Sequence, residues 1–337
     1  MSENKRITLD DVARLAGVSA ITVSRALRRP EMVSEAVRKR IDSAVAELGY
    51  VPNPAARHLA TGRSNVIGVL IPSVTNSVFA EVLKGIYAAS EPSDYEVQLA
   101  NTRYCAETEE NALRLFASQK PAGLVVSGFD QSPAARKLLE RLECPVVQIM
   151  ETGDDPVDVC VGFSHFHAAE AATRHLIAQG YRSPGFLGAR MDPRTQRRFA
   201  GFKAEAEAAG VFDVNRVVTS PEASSATKGA EMLRQLLTQA PEVDAIFCNN
   251  DDLALGALFE AQRMGLAVPQ RLGICGFNDL EVMAAANPSL SSVRTRRFDM
   301  GKLAIEIILS RLAGTYSGAR VVDLGFEVME RDSTRRM

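Results

Sequence analysis

The sequence predicts a chain in two unlike parts. A small N-terminal three-helix unit of helix-turn-helix type leads through a hinge helix into an α/β core of two doubly wound, parallel-sheet lobes. Three observations predict this. Residues 1–63 hold 11 Lys and Arg against seven Asp and Glu, while the whole chain of 337 residues has a net charge of −2. A Pro/Ala/Arg/Gly-rich stretch at 51–64 separates short helical patterns from everything that follows. From Asn65 onward brief apolar strands alternate with amphipathic helices, the signature of parallel sheets wound in βαβ units. The expected parts are 1–50, a hinge at 51–64, and a core at 65–331. Within the core, lobe one takes about 65–162 plus 294–320, and lobe two about 163–293 plus 321–331.

Thr8-Leu9-Asp10-Asp11 is a capping box, a hydroxyl followed three residues later by an acid. Leu9, Val12, Ala13 and Ala16 then share one helical face, and Gly17 can take the left-handed conformation that stops the helix. Ser19 is placed to cap a second helix over about Ala20–Leu27, which buries Val23, Ala26 and Leu27. Its opposite face offers Ile21, Ser24, Arg25 and Arg28. A third helix, about Ser34–Leu48, buries Val37, Ile41, Val45 and Leu48 and ends at Gly49. Two short helices about a Gly-containing turn form a helix-turn-helix, whose second helix carries its polar, cationic face outward. In a major groove Arg25 suits a bidentate contact to guanine, Ala20 and Ile21 suit thymine methyls, and Thr22 and Ser24 suit phosphates. A basic module on an acidic body fits an anionic polymer as the partner of the module alone.

In the hinge, Asn53 is a good N-cap, Pro54 suits a first helical position, and Gly62 can end the helix. So short a helix is unstable alone in water and would order against a partner copy and DNA, with Leu59 as an apolar wedge for a minor groove. A plain flexible linker is the other reading of this segment.

Strands are expected at Val66–Ile71, Val97–Ala100, Gly123–Ser127, Pro145–Ile149, Val159–Phe163, Gly185–Gly188, Ala245–Cys248 and Leu272–Phe277. Helical patterns fill most of the gaps, and a last helix at Asp299–Leu312 and a last strand at Val321–Phe326 complete the sheets. The five cysteines are scattered without a CxxC, which reads as buried free thiols in a reducing compartment. His165 and His167 read as a turn leading into a helix, not as a metal site, and no metal or other cofactor is expected. No apolar run approaches the ~18 residues of a membrane helix, and the first residues lack the apolar stretch of an export signal, so a cytoplasmic protein with no membrane partner is expected. That argues against a solute-binding protein for transport. An enzyme is disfavoured too, since there is no Walker phosphate loop, GxSxG elbow or HExxH zinc motif.

Thr8–Ser19, Thr22-Val23-Ser24-Arg25 and Leu48-Gly49-Tyr50-Val51-Pro52-Asn53 resemble the headpiece of the lactose/galactose repressor family. The resemblance continues through Ile67–Pro72, Asn250–Ala257 and Gly276-Phe277-Asn278-Asp279, so it covers essentially the whole chain. Ser77–Ile86, Val161-Gly162-Phe163, Leu187–Arg190 and Asp323–Phe326 are similar to the gluconate-utilisation repressors within it. The family implies a homodimer that reads a palindromic operator, on a periplasmic-binding-protein-like core with a small effector between its lobes. Operator contacts map onto Ala20, Ile21, Thr22, Ser24, Arg25, Asn53, Ala56, His58 and Leu59. Pro54 stands where a basic residue often occurs, so one minor-groove contact is in doubt.

An effector cleft is expected where the carboxyl ends of the parallel strands meet between lobes. Ser73 and Asn76 follow the first strand; Asn250 and Asp251, and Asn278 and Asp279, follow later ones. By resemblance Arg198, Asn250 and Asn278 contact the effector, with Glu151, Phe163, Thr295 and Arg297 beside them. Asn, Ser and Thr supply paired donors and acceptors for a polyol, and Arg supplies the donor fork a carboxylate needs. Asn278, where Asp is frequent in relatives that bind neutral sugars, together with Arg198 and Arg297 points to a sugar acid such as gluconate. A different sugar or a phosphorylated sugar acid is the alternative.

Overall fold

The computed structural model describes residues 7–28, 30–51 and 64–336. The operator contacts expected at Asn53, Ala56, His58 and Leu59, and the hinge helix with them, lie outside the described residues. The chain divides into two compact units, one ending at Ser64 and the other beginning at Asn65.

The headpiece is three helices, α1 (Leu9–Ala16), α2 (Ala20–Arg28) and α3 (Glu35–Leu48). The capping box forms: the Thr8 backbone N–H donates to the Asp11 carboxylate at 3.0 Å, and its hydroxyl at 2.7 Å. Gly17 and Gly49 both end helices in the left-handed region, at φ 64° and 60°. The Thr22 backbone N–H donates to the Ser19 hydroxyl at 3.2 Å, capping α2. The core is small: Val12, Ala13, Ala16, Val23, Ala26, Ile41 and Ala44 are buried, with Leu9, Leu27, Val37, Val45 and Leu48 half-covered around them. Alanines dominate because three short helices at close range leave no room for more.

In the second unit the first sheet contains β1 (Val66–Ile71), β2 (Glu96–Asn101), β3 (Gly123–Ser127), β4 (Val146–Ile149), β5 (Val159–Gly162) and β11 (Val321–Asp323), in the order β11-β5-β4-β3-β1-β2. All its pairings are parallel. The second contains β6 (Pro184–Ala189), β7 (Val217–Ser220), β8 (Ala245–Cys248), β9 (Gly273–Asn278), β10 (Ser291–Thr295) and β12 (Phe326–Met329), in the order β12-β10-β9-β8-β6-β7. Only β12 runs antiparallel, on β10. The helices are α4 (Ser77–Ser90), α5 (Ala106–Gln119), α6 (Pro133–Glu140) and α12 (Arg297–Leu312) about the first sheet. About the second lie α7 (His165–Ala178), α8 (Pro193–Ala208), α9 (Ala226–Gln239), α10 (Asp251–Arg263) and the short α11 (Glu281–Ala285).

Several expectations need correction. The single strand expected at Val321–Phe326 is two strands. β11 joins the first sheet, so 321–323 belongs to lobe one, and Leu324-Gly325 carries the chain over to β12. Gly325, at φ 66°, makes that turn available without a Cβ penalty. β7 and β10 are additional strands; both are short and rich in Ser and Thr, which hides them from an apolar pattern. The chain crosses between lobes three times, at 163–164, after Thr295 and at Leu324-Gly325. His165 and His167 lie within the first turn of α7 itself. Of the cysteines, Cys160, Cys248 and Cys275 are buried, but Cys105 is exposed and Cys144 half-buried, because both sit in loops at helix ends.

Beneath the sheets, valines and isoleucines of β1, β3, β4 and β5 fill the first lobe, while Phe186, Phe202, Phe247 and Phe277 stack through the second. Phe163 links them, its ring centroid 6.1 Å from that of Phe277. Helices α4 and α12 touch backbone to backbone: a Cβ on Gly85 would overlap the Phe298 carbonyl, and one on Gly301 the Val82 carbonyl.

Candidate functional site

Two sets of side chains are candidates. On α2, Ile21 is 72 % exposed, Arg25 is exposed, and Ala20, Thr22 and Ser24 are half-exposed, while Val23 and Ala26 face the core. The helix therefore presents the expected face. Thr22 uses its hydroxyl locally, at 2.8 Å from that of Ser19.

The second set lines a narrow, largely closed cleft between the lobes, at the carboxyl ends of the strands. Asn76, after β1, caps α4 by accepting from the Val78 N–H at 3.0 Å and donates from Nδ2 to the Tyr104 hydroxyl at 3.3 Å. Asn250 caps α10 through the Leu253 N–H at 3.1 Å and turns its flank to the cleft. Asn278, at the end of β9, holds φ 112°, and its buried Oδ1 accepts no hydrogen bond among the described residues. A buried acceptor without a donor costs about 1–3 kcal/mol, so this oxygen is poised for a ligand hydroxyl.

Arg198 is the most constrained group in the site. It is 7 % exposed, lies 3.8 Å from the centroid of the Phe277 ring, and donates from Nη1 to the Asn249 carbonyl. Its Nε donates to His165 Nδ1 at 3.2 Å. His165 Nε2 lies 3.0 Å from the Met150 carbonyl, which can only accept. The ring is therefore the neutral Nε2–H tautomer, with Nδ1 left to accept from Arg198. Burial, then the neighbouring arginines, hold the imidazole well below its ordinary pKa. Burial likewise pushes Arg198 down to about 10, which leaves it a cation at neutral pH.

Several residues of this site were missed in the sequence, among them Arg190, Asp192, Arg194 and Tyr104. Arg194 is buried one helical turn before Arg198 and donates from Nη1 to the Ser127 hydroxyl across the cleft at 3.2 Å. Arg190 lays its guanidinium 3.9 Å from the centroid of the Tyr104 ring, again from one lobe to the other. Asp192 caps α8 through the Thr195 N–H at 2.8 Å. Burial opposes its ionisation, but Arg194 and that N–H outweigh it, so its carboxyl stays below the ordinary range. The i, i+4 spacing of Arg194 and Arg198 was a usable signal. Arg190 and Tyr104 had none, since each sits in a left-handed doublet, Arg190-Met191 and Arg103-Tyr104, at φ between 47° and 67°. Such backbone is costly for non-glycine residues and gathers at binding sites.

The remaining expected residues do not line the cleft. Ser73 closes a turn by accepting from Thr75 and Asn76 N–H groups at 3.2 and 3.1 Å. Phe163 packs edge-on against His165, with centroids 4.5 Å apart. Glu151 is turned to Arg197. Thr295 is buried beside β9, and Arg297 donates to the Asp279 carbonyl at 3.2 Å, facing a separate depression. Asp251 is structural: fully buried, it accepts from the Ser292 hydroxyl and the Leu280 N–H, both at 2.7 Å, and pins the loop that carries Asn278. Burial pushes its carboxyl up to about 6. Among the described residues no group of His, Cys, Asp and Glu could hold a metal ion, and no helix is long and apolar enough to cross a membrane.

With this geometry in hand, comparison with known proteins gives a consistent result. Residues 8–53 match the family of bacterial regulatory proteins, lacI family. Residues 64–336 match the periplasmic binding proteins and sugar binding domain of LacI family. The HTH-type transcriptional regulator GntR of Pseudomonas aeruginosa is 42 % identical over 98 % of this chain and 96 % of its own. That of Escherichia coli K12 is 40 % identical over 96 % and 97 %. The crystal structure of a LacI-family transcriptional regulator from Silicibacter pomeroyi aligns over 98 % of this chain and 100 % of its own, at 36 % identity and a TM-score of 0.91. The crystal structure of GntR from Chromobacterium violaceum covers 80 % of this chain and 100 % of its own, at 40 % identity and a TM-score of 0.78. A helix-turn-helix unit and a two-lobed sugar-binding core, both matched in order along one chain, establish that this protein belongs to the LacI family of bacterial DNA-binding transcriptional regulators.

Proposed function

We propose that this chain is a cytoplasmic repressor of sugar-acid utilisation genes, most simply those for gluconate. As a homodimer it holds a palindromic operator through the exposed face of α2 and releases it when the acid fills the cleft. The observation that carries the ligand class is the charge of the cleft: three guanidiniums, Arg190, Arg194 and Arg198, against one carboxylate, Asp192. Arg forks suit a carboxylate, and the amides of Asn76, Asn250 and Asn278 suit the hydroxyls of a polyol chain.

Binding to the operator and binding of the acid must then oppose each other by one shared factor, by linkage. Titrating gluconate against the free protein and against its operator complex tests this. Weaker binding to the complex is expected; equal affinity would refute release. The surplus of cations over anions also favours a second reading, a sugar acid that carries a phosphate. It predicts that 6-phosphogluconate outcompetes gluconate in the same titration. Turnover of either acid would instead indicate an enzyme.

A further inference from the structure

The first turns of α8 act on both lobes at once. Arg194 and Arg198 face the cleft, while Arg197 between them turns to the first lobe. Its Nη1 donates to Glu151 Oε2 at 2.8 Å, just beyond β4, and to Asp130 Oδ1 at 3.3 Å, beyond β3. The side chain of Glu151 is only 6 % exposed. Arg198 reaches the same point by another route, since His165 behind it donates to the carbonyl of Met150, the residue before Glu151. Thus a single rigid helix carries the effector arginines and an ion pair that spans the lobes.

We propose that Arg197, Glu151 and Asp130 form an inter-lobe latch, made of positioning residues that touch no effector atom, through which occupancy of the cleft fixes the relative position of the lobes. The proposal rests on the reading that a sugar acid fills the cleft. A ligand carboxylate that draws in Arg194 and Arg198 moves α8 as a unit, and the latch sets where α8 stands against β3 and β4. The pair is buried at its Glu151 end and 40 % exposed at Arg197; such partly buried pairs add little stability, and fixing one geometry is their better-attested use.

The latch also titrates near neutrality. Glu151 faces Arg194, Arg197 and Arg198 from α8, Asp130 from the loop after β3, the neutral His165 from α7 and the Cys160 thiol from β5. Burial, abetted by Asp130 and opposed by the three arginines, pushes its carboxyl up to about 7. Because this folded value lies above the unfolded one, Glu151 contributes stability that is complete in acid and is lost as pH rises through about 7. The ion pair is made over the same rise. The Glu151 arm of the latch is therefore mostly made at pH 8 and mostly undone at pH 6.

The test is calorimetric titration of the full-length protein with gluconate, whose own carboxyl is ionised throughout this range. Wild type is expected to bind about tenfold more weakly at pH 6 than at pH 8, within the usual span of such couplings. Glu151→Gln and Arg197→Gln are expected to bind at both pH values as wild type does at pH 6, while Arg197→Lys keeps the pH dependence. Wild-type affinity and pH profile in Glu151→Gln would overturn the latch, and so would a flat profile in wild type. A ligand-free arm separates this from failure of the effector reading. The Tm of wild type should fall relative to that of Glu151→Gln between pH 6 and pH 8. If gluconate binds at neither pH, the effector reading fails by itself, and parallel Tm profiles would then overturn the latch as well.

Discussion

The headpiece leaves its working side chains in water, and the core domain buries its own. Ile21 and Arg25 stand on a helix whose other face makes a core of small residues, so the fold does not depend on them. Arg198 is stacked, hydrogen-bonded and walled in, and the fold around β8 and β9 is built on its guanidinium. The reason is the ligand. Duplex DNA is a large, rigid polyanion met at a surface, whereas a small molecule must be enclosed before a few groups can hold it. Function and stability should therefore separate in the headpiece and stay entangled in the cleft.

The sharpest way to break that contrast is Arg198→Ala. It leaves the Asn249 carbonyl and His165 Nδ1 buried without their donor, at about 1–3 kcal/mol each. The variant should lose several degrees of Tm and all response to gluconate while still binding operator. A normal Tm with response abolished would show that the cleft arginine is as dispensable to the fold as a surface one.

Arg25→Ala should do the opposite. A cost of about 1–3 kcal/mol in operator affinity is expected, with relaxed preference at one base pair and an unchanged Tm. An equal loss on random DNA would reduce Arg25 to a phosphate contact.

How far these residues could be read from the sequence follows the same divide. The headpiece helices were legible to within a residue because their signals are local: a capping box at Thr8 and Asp11, a glycine at the ends of α1 and α3, one apolar stripe per helix. The strands that begin at Val66, Gly123 and Ala245 were legible as apolar runs. β7 and β10 were not: β7 is a short, half-exposed edge strand with only two valines, and in the buried β10 Ser291 and Ser292 satisfy their hydroxyls by contacts the sequence does not show. Arg198, Asn250 and Asn278 could be placed because they follow strands or sit on a recognisable motif. Arg190 and Tyr104 could not, because they meet from opposite lobes. Resemblance puts Arg297 beside the effector, whereas in the structure it donates to the backbone carbonyl of Asp279.

Asn278→Asp sharpens the comparison within the cleft. It exchanges an amide for a carboxylate of the same size on a strained residue that is only 3 % exposed, so the free protein should lose some Tm to the buried charge while keeping its fold. Against a carboxylate ligand the new charge is repulsive; against a neutral sugar it adds an acceptor. Gluconate affinity should fall about tenfold, ~1.4 kcal/mol, with neutral hexoses gaining in relative terms. If gluconate binds the variant as before, the orphaned oxygen of Asn278 does not face the ligand.

The smallest effect expected is at Asp11. Its carboxylate takes both the backbone N–H and the hydroxyl of Thr8, and it also lies 3.2 Å from Arg14 at the surface. The ion pair is solvent-exposed and contributes little. The cap is worth about 1 kcal/mol, because without it an N-terminal N–H of α1 depends on water alone. Asp11→Ala should therefore lower the unfolding free energy of the headpiece by about that amount and leave gluconate binding by the core untouched. Operator affinity should fall only as far as the folded fraction of the headpiece falls. A larger loss, at full headpiece stability, would mean that the start of α1 itself meets DNA, and that working and structural side chains are less separate in the headpiece than the exposure of α2 implies.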